Sequence, residues 1–205
     1  MSENLRLLMA VAEKSSAVAW FKGLFKQAHV EIMDTGERFT VLHHGDRAEV
    51  LTGFQTNKPN FVIPLQSEEI QGLAAAFADD VIDADEQYRI VKFMLKPCLK
   101  ASLEMPILRN RTVLKITKVD THWQEALLDP QGNEDEQVTI IFANKQWLVI
   151  PGYHGKPQRR VRLTSEQLLD FQRRVFHADA ANKLTAWVKL ARWYVKWRAE
   201  ITVPV

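Results

Sequence analysis

The sequence predicts an α+β protein: two tandem copies of a mainly antiparallel sheet backed by helices, with extra helices at the N-terminus. Three observations predict it. Short β-prone runs punctuated by Gly, Asn and Asp are followed by stretches of helical periodicity. That succession of runs, turns and helix starts occurs twice. The two occurrences keep register, with an offset that drifts only from 99 to 98 to 97 residues.

Residues 3–28 carry Leu5, Leu8, Met9, Ala12, Trp20, Phe21, Leu24 and Phe25 at helical spacings, and Ser15-Ser16 should divide them into two helices. From His29 the pattern changes to VEIMD, RFTVLHH, AEVLTGF and NFVIPL, separated by Thr35-Gly36, Gly45-Asp46 and Asn57-Lys58-Pro59. Such spacing reads as an antiparallel meander. Ser67 is the expected N-cap of the next helix, with Glu68 and Glu69 at the positive end of its dipole and Ile70, Leu73, Ala74, Phe77 and Val81 on its buried face. The acidic stretch Asp79 to Glu86 then leads to an apolar helix over 87–96, which Pro97 should end or kink.

In the second occurrence WQEALLD is the first strand and QGNEDEQ its turn, and two strands flank Asn144-Lys145. A further strand is expected at Arg159–Leu163, and Thr164 with Gln167 forms a candidate capping box. Thr40-Val41-Leu42 falls on Thr139-Ile140-Ile141, Gly53-Phe54 on Gly152-Tyr153, Ser67-Glu68 on Ser165-Glu166 and Val91-Lys92 on Val188-Lys189. TVLKITKV (112–119) and the EITV starting at Glu200 are candidate closing strands. The copies are therefore assigned to residues 1–119 and 120–205.

Apolar residues make up 46% and charged residues 25%, the balance of an ordinary globular chain that needs no disulfide to build a core. Cys98 is the single cysteine, so no intrachain disulfide can form, and its place in an apolar helix suits an inert core thiol. The N-terminal stretch lacks a signal-peptide pattern and no apolar run reaches the roughly 18 residues of a membrane span, so a cytoplasmic location is expected. The net charge of +2 hides an asymmetry: residues 1–105 carry 11 basic and 15 acidic side chains, and the remainder 16 and 10. Solvated surfaces often differ this much, and the basic residues of the second half are too scattered to predict a nucleic-acid partner.

The first copy, through HVEIMDTGERFTVLHHGDRAEVLTGF and NFVIPLQSEEIQGLAAAF, resembles the sterol carrier protein type two family. EQVTIIFANKQWLVIPGY and RVRLTSEQLLDF resemble it in the second. The resemblance covers about residues 29–78 and 123–176. It implies a five-stranded sheet backed by helices that cover an apolar tunnel for lipids. The Gly-x-x-x-x-x-Gly strand usual after the family's first helix is missing from both copies. Apolar helices stand there instead, at 87–96 and 180–199.

The 180–199 segment is the most unusual. Lys189, Arg192 and Lys196 form one narrow basic stripe, and apolar side chains fill nearly all the rest. A surface helix needs an apolar stripe of only about 100°. This arc is about twice as wide, so the helix should be covered on two sides, by core plus an interface, by an apolar ligand, or by a membrane surface. Phe93, Met94, Trp187, Leu190, Trp193, Tyr194 and Trp197 are the candidate apolar ligand-binding residues. Lys92, Lys96 and Lys100 make a similar stripe in the first copy, read as a solvated edge. Arg160 and Arg162 should share one face of a strand and, with Lys156, are candidate contacts for an anionic head group. The alternative is a charged, guarded sheet edge.

No nucleophile elbow, Walker loop or dinucleotide fingerprint is present. His29, His43, His44, His122, His154 and His177 show no ligand spacing, and His43 and His44 should point to opposite faces of a strand. No metal or other cofactor is expected. The leading reading is a non-catalytic binding or carrier protein for an apolar, lipid-like ligand, with peripheral membrane contact compatible with it. The alternative is an interaction module whose apolar helices form a homodimer or partner interface.

Overall fold

A computed structural model describes residues 1–55, 57, 59, 61–79, 81–103, 120–181 and 183–205. Its described helices and two mixed sheets make an α+β fold. The chain divides into two compact units, Met1–Pro97 and Cys98–Val205. The division lies ahead of the 119/120 boundary read from the sequence. The candidate strand over 112–119 lies outside the described residues.

The first unit opens with α1 (Glu3–Glu13) and α2 (Ser15–Phe21). They part at Lys14, whose ψ of 126° is extended, as the Ser15-Ser16 pair led us to expect. The helical reading through residue 28 is corrected: α2 stops at Phe21, Gly23 takes a φ of 79° that favours glycine, and β1 (Gln27–Ile32) begins before His29. Leu24 and Phe25 keep their buried places, but in the connecting loop. Next come β2 (Arg38–His43), β3 (Ala48–Thr52), β4 (Phe61–Leu65), α3 (Ser67–Ala76) and α4 (Ala84–Leu103), whose residues from Cys98 onward belong to the second unit.

The sheet order is β3-β2-β1-β4. β1–β3 are antiparallel neighbours, but β4 lies parallel to β1, with His29 opposite Val62. The expected meander is thus corrected at its last strand, which crosses over instead of turning back. Ala28, Val30, Ile32, Phe39, Ile63 and Leu65 are buried on one face of the sheet. Phe77 and Ile70 on the helical side are fully buried, each contributing about 1.5–3 kcal/mol of hydrophobic stabilisation. His43, also buried, donates from Nε2 to the Val18 carbonyl at 2.8 Å and accepts at Nδ1 from the Gly45 N–H at 3.2 Å. His44 is exposed, as the alternation of a strand requires.

Two helix ends differ from expectation. Gln66, not Ser67, caps α3, and its N–H donates to Glu69 Oε2 at 2.6 Å. Ser67 Oγ instead accepts from Asn4 Nδ2 at 3.1 Å, tying α3 to α1. α4 runs through Pro97 to Leu103. Leu99 and Leu103 are both buried, and their burial offsets the hydrogen bond that proline withholds from a helix.

The second unit holds β5 (His122–Leu128), β6 (Glu134–Ala143), β7 (Gln146–Pro151), β8 (Arg159–Leu163), α5 (Ser165–Ala181), α6 (Leu184–Ile201) and β9 (Thr202–Val203). Its sheet runs β7-β6-β5-β8-β9, with β8 parallel to β5 and the other neighbours antiparallel. Asn144 and Lys145 have φ of 50° and 65°, the left-handed pair of a two-residue hairpin turn. Thr164 and Gln167 form the expected capping box at 2.9 and 3.2 Å. Two boundaries move. Glu134–Gln137 belong to β6 rather than to the turn, and the 180–199 segment is the end of α5 followed by α6.

The two sheets share more than strand order. Thr40 Oγ1 donates to the Gly53 carbonyl at 2.8 Å and accepts from the Gln55 N–H at 2.9 Å. Thr139 Oγ1 does the same with Gly152 at 2.7 Å and His154 at 2.8 Å. Both threonines are fully buried, and Gly53 and Gly152 have φ of 74° and 78°. Each loop turns its aromatic residue back over the outer sheet face. Phe54 stacks on His29 at 4.0 Å, and Arg160 lies over Tyr153 at 4.6 Å.

Candidate functional site

A strand sends alternate side chains to opposite faces. On β5 this puts Trp123, Glu125 and Leu127 on the face toward the helices and Gln124 and Ala126 on the other. Arg159, Val161 and Leu163 of β8 stand opposite Trp123, Glu125 and Leu127 in parallel register, so they share the inner face. α6 packs on β8 and α5. Between these elements lies a cavity of ≈ 200 Å³. The sheet contributes Trp123, Trp147 and Val161, and the helices contribute Leu103, Phe171, Trp187, Leu190, Tyr194 and Trp197.

The aromatic residues hold one another in place. Trp123 and Trp147 meet edge to face at 5.2 Å, and Phe142 contacts Trp147 at 4.9 Å. Phe171 and Trp197 stack at 5.2 Å with planes 1° apart. Such pairs contribute about 0.5–1.5 kcal/mol each beyond area burial. Rigid aromatic walls with few polar groups are the usual lining of a small-molecule cavity.

Among the described residues four charged groups interrupt the apolar lining. Glu125 is 5% exposed. Its Oε2 accepts from the Trp123 indole N–H at 3.3 Å, and its Oε1 has no hydrogen-bond partner among the described residues. Burial pushes its carboxyl up to about 7, against the smaller lowering effect of the Trp123 bond. The others lie together. Arg159 Nε donates to Asp120 Oδ2 at 2.5 Å and Nη1 to Thr202 Oγ1 at 3.1 Å. Arg198 Nη1 is 3.8 Å from the same carboxylate and sits over the Tyr194 ring at 5.8 Å. Burial pushes the Tyr194 phenol up to about 12, with Glu125 and Asp120 raising it and Arg198 and Arg159 lowering it.

No family model, curated protein or solved structure matches the chain. The site is therefore read from its own geometry.

Of the candidate apolar residues, Trp187, Leu190, Tyr194 and Trp197 line this cavity. Trp193 does not: it faces α5, under the Arg174 guanidinium at 4.5 Å and 6.4 Å from Phe171. Met94 lines a smaller cavity of ≈ 70 Å³ in the first unit, beside Leu8, Val18 and Phe25. The Phe93 side chain lies outside the described residues. Along the last helix Val188 and Val195 are 41% and 57% exposed, and Val195 borders the cavity.

Arg160 and Arg162 share a strand face as expected, but it is the outer face, away from the cavity. Both are engaged there. Arg160 donates to Gln124 Oε1 at 2.9 and 3.2 Å, and Arg162 to Glu134 Oε1 at 2.5 Å. Burial would raise the Glu134 carboxyl, but the Tyr153 hydroxyl and Arg162 outweigh it and hold it below the usual range. Lys156 is exposed. These three do not form a head-group site for the cavity.

The sequence reading missed Trp123, Trp147, Glu125, Arg159 and Asp120. One signal was available. In the WQEALLD run, Glu125 occupies an inward position between Trp123 and Leu127, where alternation calls for an apolar residue.

Proposed function

We propose that this chain is a non-catalytic binding or carrier protein for an apolar, lipid-like ligand, held in the cavity of the second unit. The observation that carries the reading is the ≈ 200 Å³ aromatic cavity between α6 and the sheet. A comparison of the units supports it. Ala28 and Ala48 of the first sheet correspond in register to Trp123 and Trp147 of the second. In the first unit α1 and α2 supply Leu8, Val11, Val18 and Phe21 beside those alanines and leave only ≈ 70 Å³. The second unit meets the same face with two indoles, and a larger space is left.

The matching strand order and paired Thr–Gly bonds support a second element of the reading, that the chain is a tandem duplication of one α+β unit. The five-stranded sheet with a helix-covered apolar face supports likeness to the sterol carrier protein type two family. A reducing, cytoplasmic setting belongs to this reading and suits a chain with one cysteine. No described helix is long and apolar enough to cross a membrane.

Mass spectrometry of gently extracted full-length protein tests the reading: a co-purifying apolar molecule near one per chain is expected, and an empty protein that takes up no added lipid contradicts it. Exposed Val188 on α6, outside the cavity lining, favours one other reading, an apolar interface with a second copy or a partner protein. Sedimentation separates the two, since a concentration-independent monomer excludes the homodimer.

A further inference from the structure

The carboxyl at the floor of the cavity narrows the class of ligand. Resting on the carrier reading above, we propose that the cavity takes an apolar amine, with Glu125 as the counter-ion of its ammonium group and the indoles of Trp123 and Trp147 beside it.

The argument starts from what a buried carboxyl needs. A carboxylate accepts several hydrogen bonds, and one taken out of water is retained where a cation or several donors meet it. Glu125 is 5% exposed, receives one indole N–H at 3.3 Å, and presents Oε1 with no partner among the described residues. Its immediate strand neighbours cannot help: Val138 of β6 and Val161 of β8 stand opposite it. α4 brings Leu99 and Leu103 to the cavity, α5 brings Phe171 and Val175, and β7 brings Trp147. Among the described residues the charged and titratable groups on this side are Asp120, Arg159 of β8, and Tyr194 and Arg198 of α6. Asp120 engages both guanidiniums, Arg159 directly at 2.5 Å and Arg198 at 3.8 Å. Arg159 is further held by Thr202. Among the described residues Glu125 is left as one half of an ion pair with no cation beside it.

The surroundings suit a cation with an apolar tail. Indole faces attract ammonium groups, best when the site is desolvated. A charge-assisted hydrogen bond from N–H to a carboxylate is about twice as strong as a neutral one. The aliphatic and aromatic lining provided by Leu103, Leu190, Phe171 and Trp197 accepts the tail. A neutral alcohol would satisfy Oε1 without gaining the ion pair. A carboxylate amphiphile would place like charge against Glu125, or require that Glu125 stay protonated.

Calorimetric titration of the full chain with dodecylammonium, dodecanol and dodecanoate, each below its micellar concentration, tests this. At pH 7.5 dodecylammonium is expected to bind at least about tenfold tighter than either of the others, a difference of about 1.4 kcal/mol. In Glu125→Gln the preference should shrink to within about twofold while dodecanol binding persists. Dodecyltrimethylammonium, which does not titrate, supplies an arm that needs no variant. Its affinity for the wild-type chain should fall about tenfold from pH 8 to pH 6, as Glu125 takes up a proton. Dodecanol or dodecanoate binding as tightly as the amine, or a flat pH profile, overturns the amine proposal and leaves the carrier reading standing. Binding of none of the four overturns both.

Discussion

Trp123 donates its indole N–H to Glu125 at 3.3 Å, and both side chains face one apolar cavity from neighbouring inward positions of β5. That bond is the one polar contact Glu125 has among the described residues. It does not offset the cost of ionising a carboxyl that burial holds at about 7.

A pH dependence of stability follows. The folded-state value lies above the ordinary glutamate value of 4.5, so between these limits the native state holds a proton that the unfolded chain releases. Stability contributed by neutral Glu125 is fully present below about 4.5 and is lost as pH rises through about 7. The loss is about 3 kcal/mol in order of magnitude. Asp34, Glu37, Asp129 and Glu134 have lowered values, so their contributions fade only at lower pH. Urea denaturation of the wild type and of Glu125→Gln at pH 5.5 and 8 is the check. The wild type should lose stability toward pH 8 relative to the variant, which has no carboxyl to ionise.

The threonine bonds are expected to matter equally in the two units. Thr139→Val keeps the shape but leaves the Gly152 carbonyl and the His154 N–H without their partner, as Thr40→Val does at Gly53 and Gln55. Each variant should lose about 2–4 kcal/mol, the cost of stranding two buried polar groups. Chemical denaturation measures both. A large loss in one unit with none in the other would count against equivalent roles.

Ligand binding should depend on the cavity wall and not on the outer sheet face. Leu190→Ala and Trp197→Ala, on the cavity wall, are expected to weaken binding of an apolar probe by about tenfold or more, the scale of removing a buried side chain. Arg162→Ala, on the outer face, breaks an ion pair whose guanidinium side is half-exposed. It should change stability by less than about 1 kcal/mol and leave probe binding unaltered. Fluorescence titration of the three variants compares them directly.

Much of the fold was legible because local chemistry encodes it. Asn144-Lys145 turns as its residue types suggest, Thr164 and Gln167 cap α5, and Ser15 starts a new helix. Pairing between distant segments left no such mark. Nothing in NFVIPL tells that β4 joins β1 in parallel, and the acidic Glu134–Glu136 run reads as a turn although its backbone pairs with β5. The site was half legible. The wide apolar arc of α6 drew attention to Trp187, Leu190, Tyr194 and Trp197. Periodicity could not tell which part of that arc faces the sheet, so Trp193 was grouped with them. Trp147 lies on β7, two strands away from Trp123 and Glu125 of β5, and only the register between β5, β6 and β7 brings it to their wall.

The most direct test of the carrier account is to fill the cavity. Ala191 lines it from α6 at an exposed position, so Ala191→Trp adds bulk to the space without cutting into the buried core. An apolar environment-sensitive dye titrated into the wild-type chain should bind at one site per chain, with blue-shifted emission. In Ala191→Trp that binding should fall at least about tenfold, the scale of overpacking a fitted site, while the thermal transition is kept. Equal binding by the two proteins, or no saturable site in the wild type, would contradict the account.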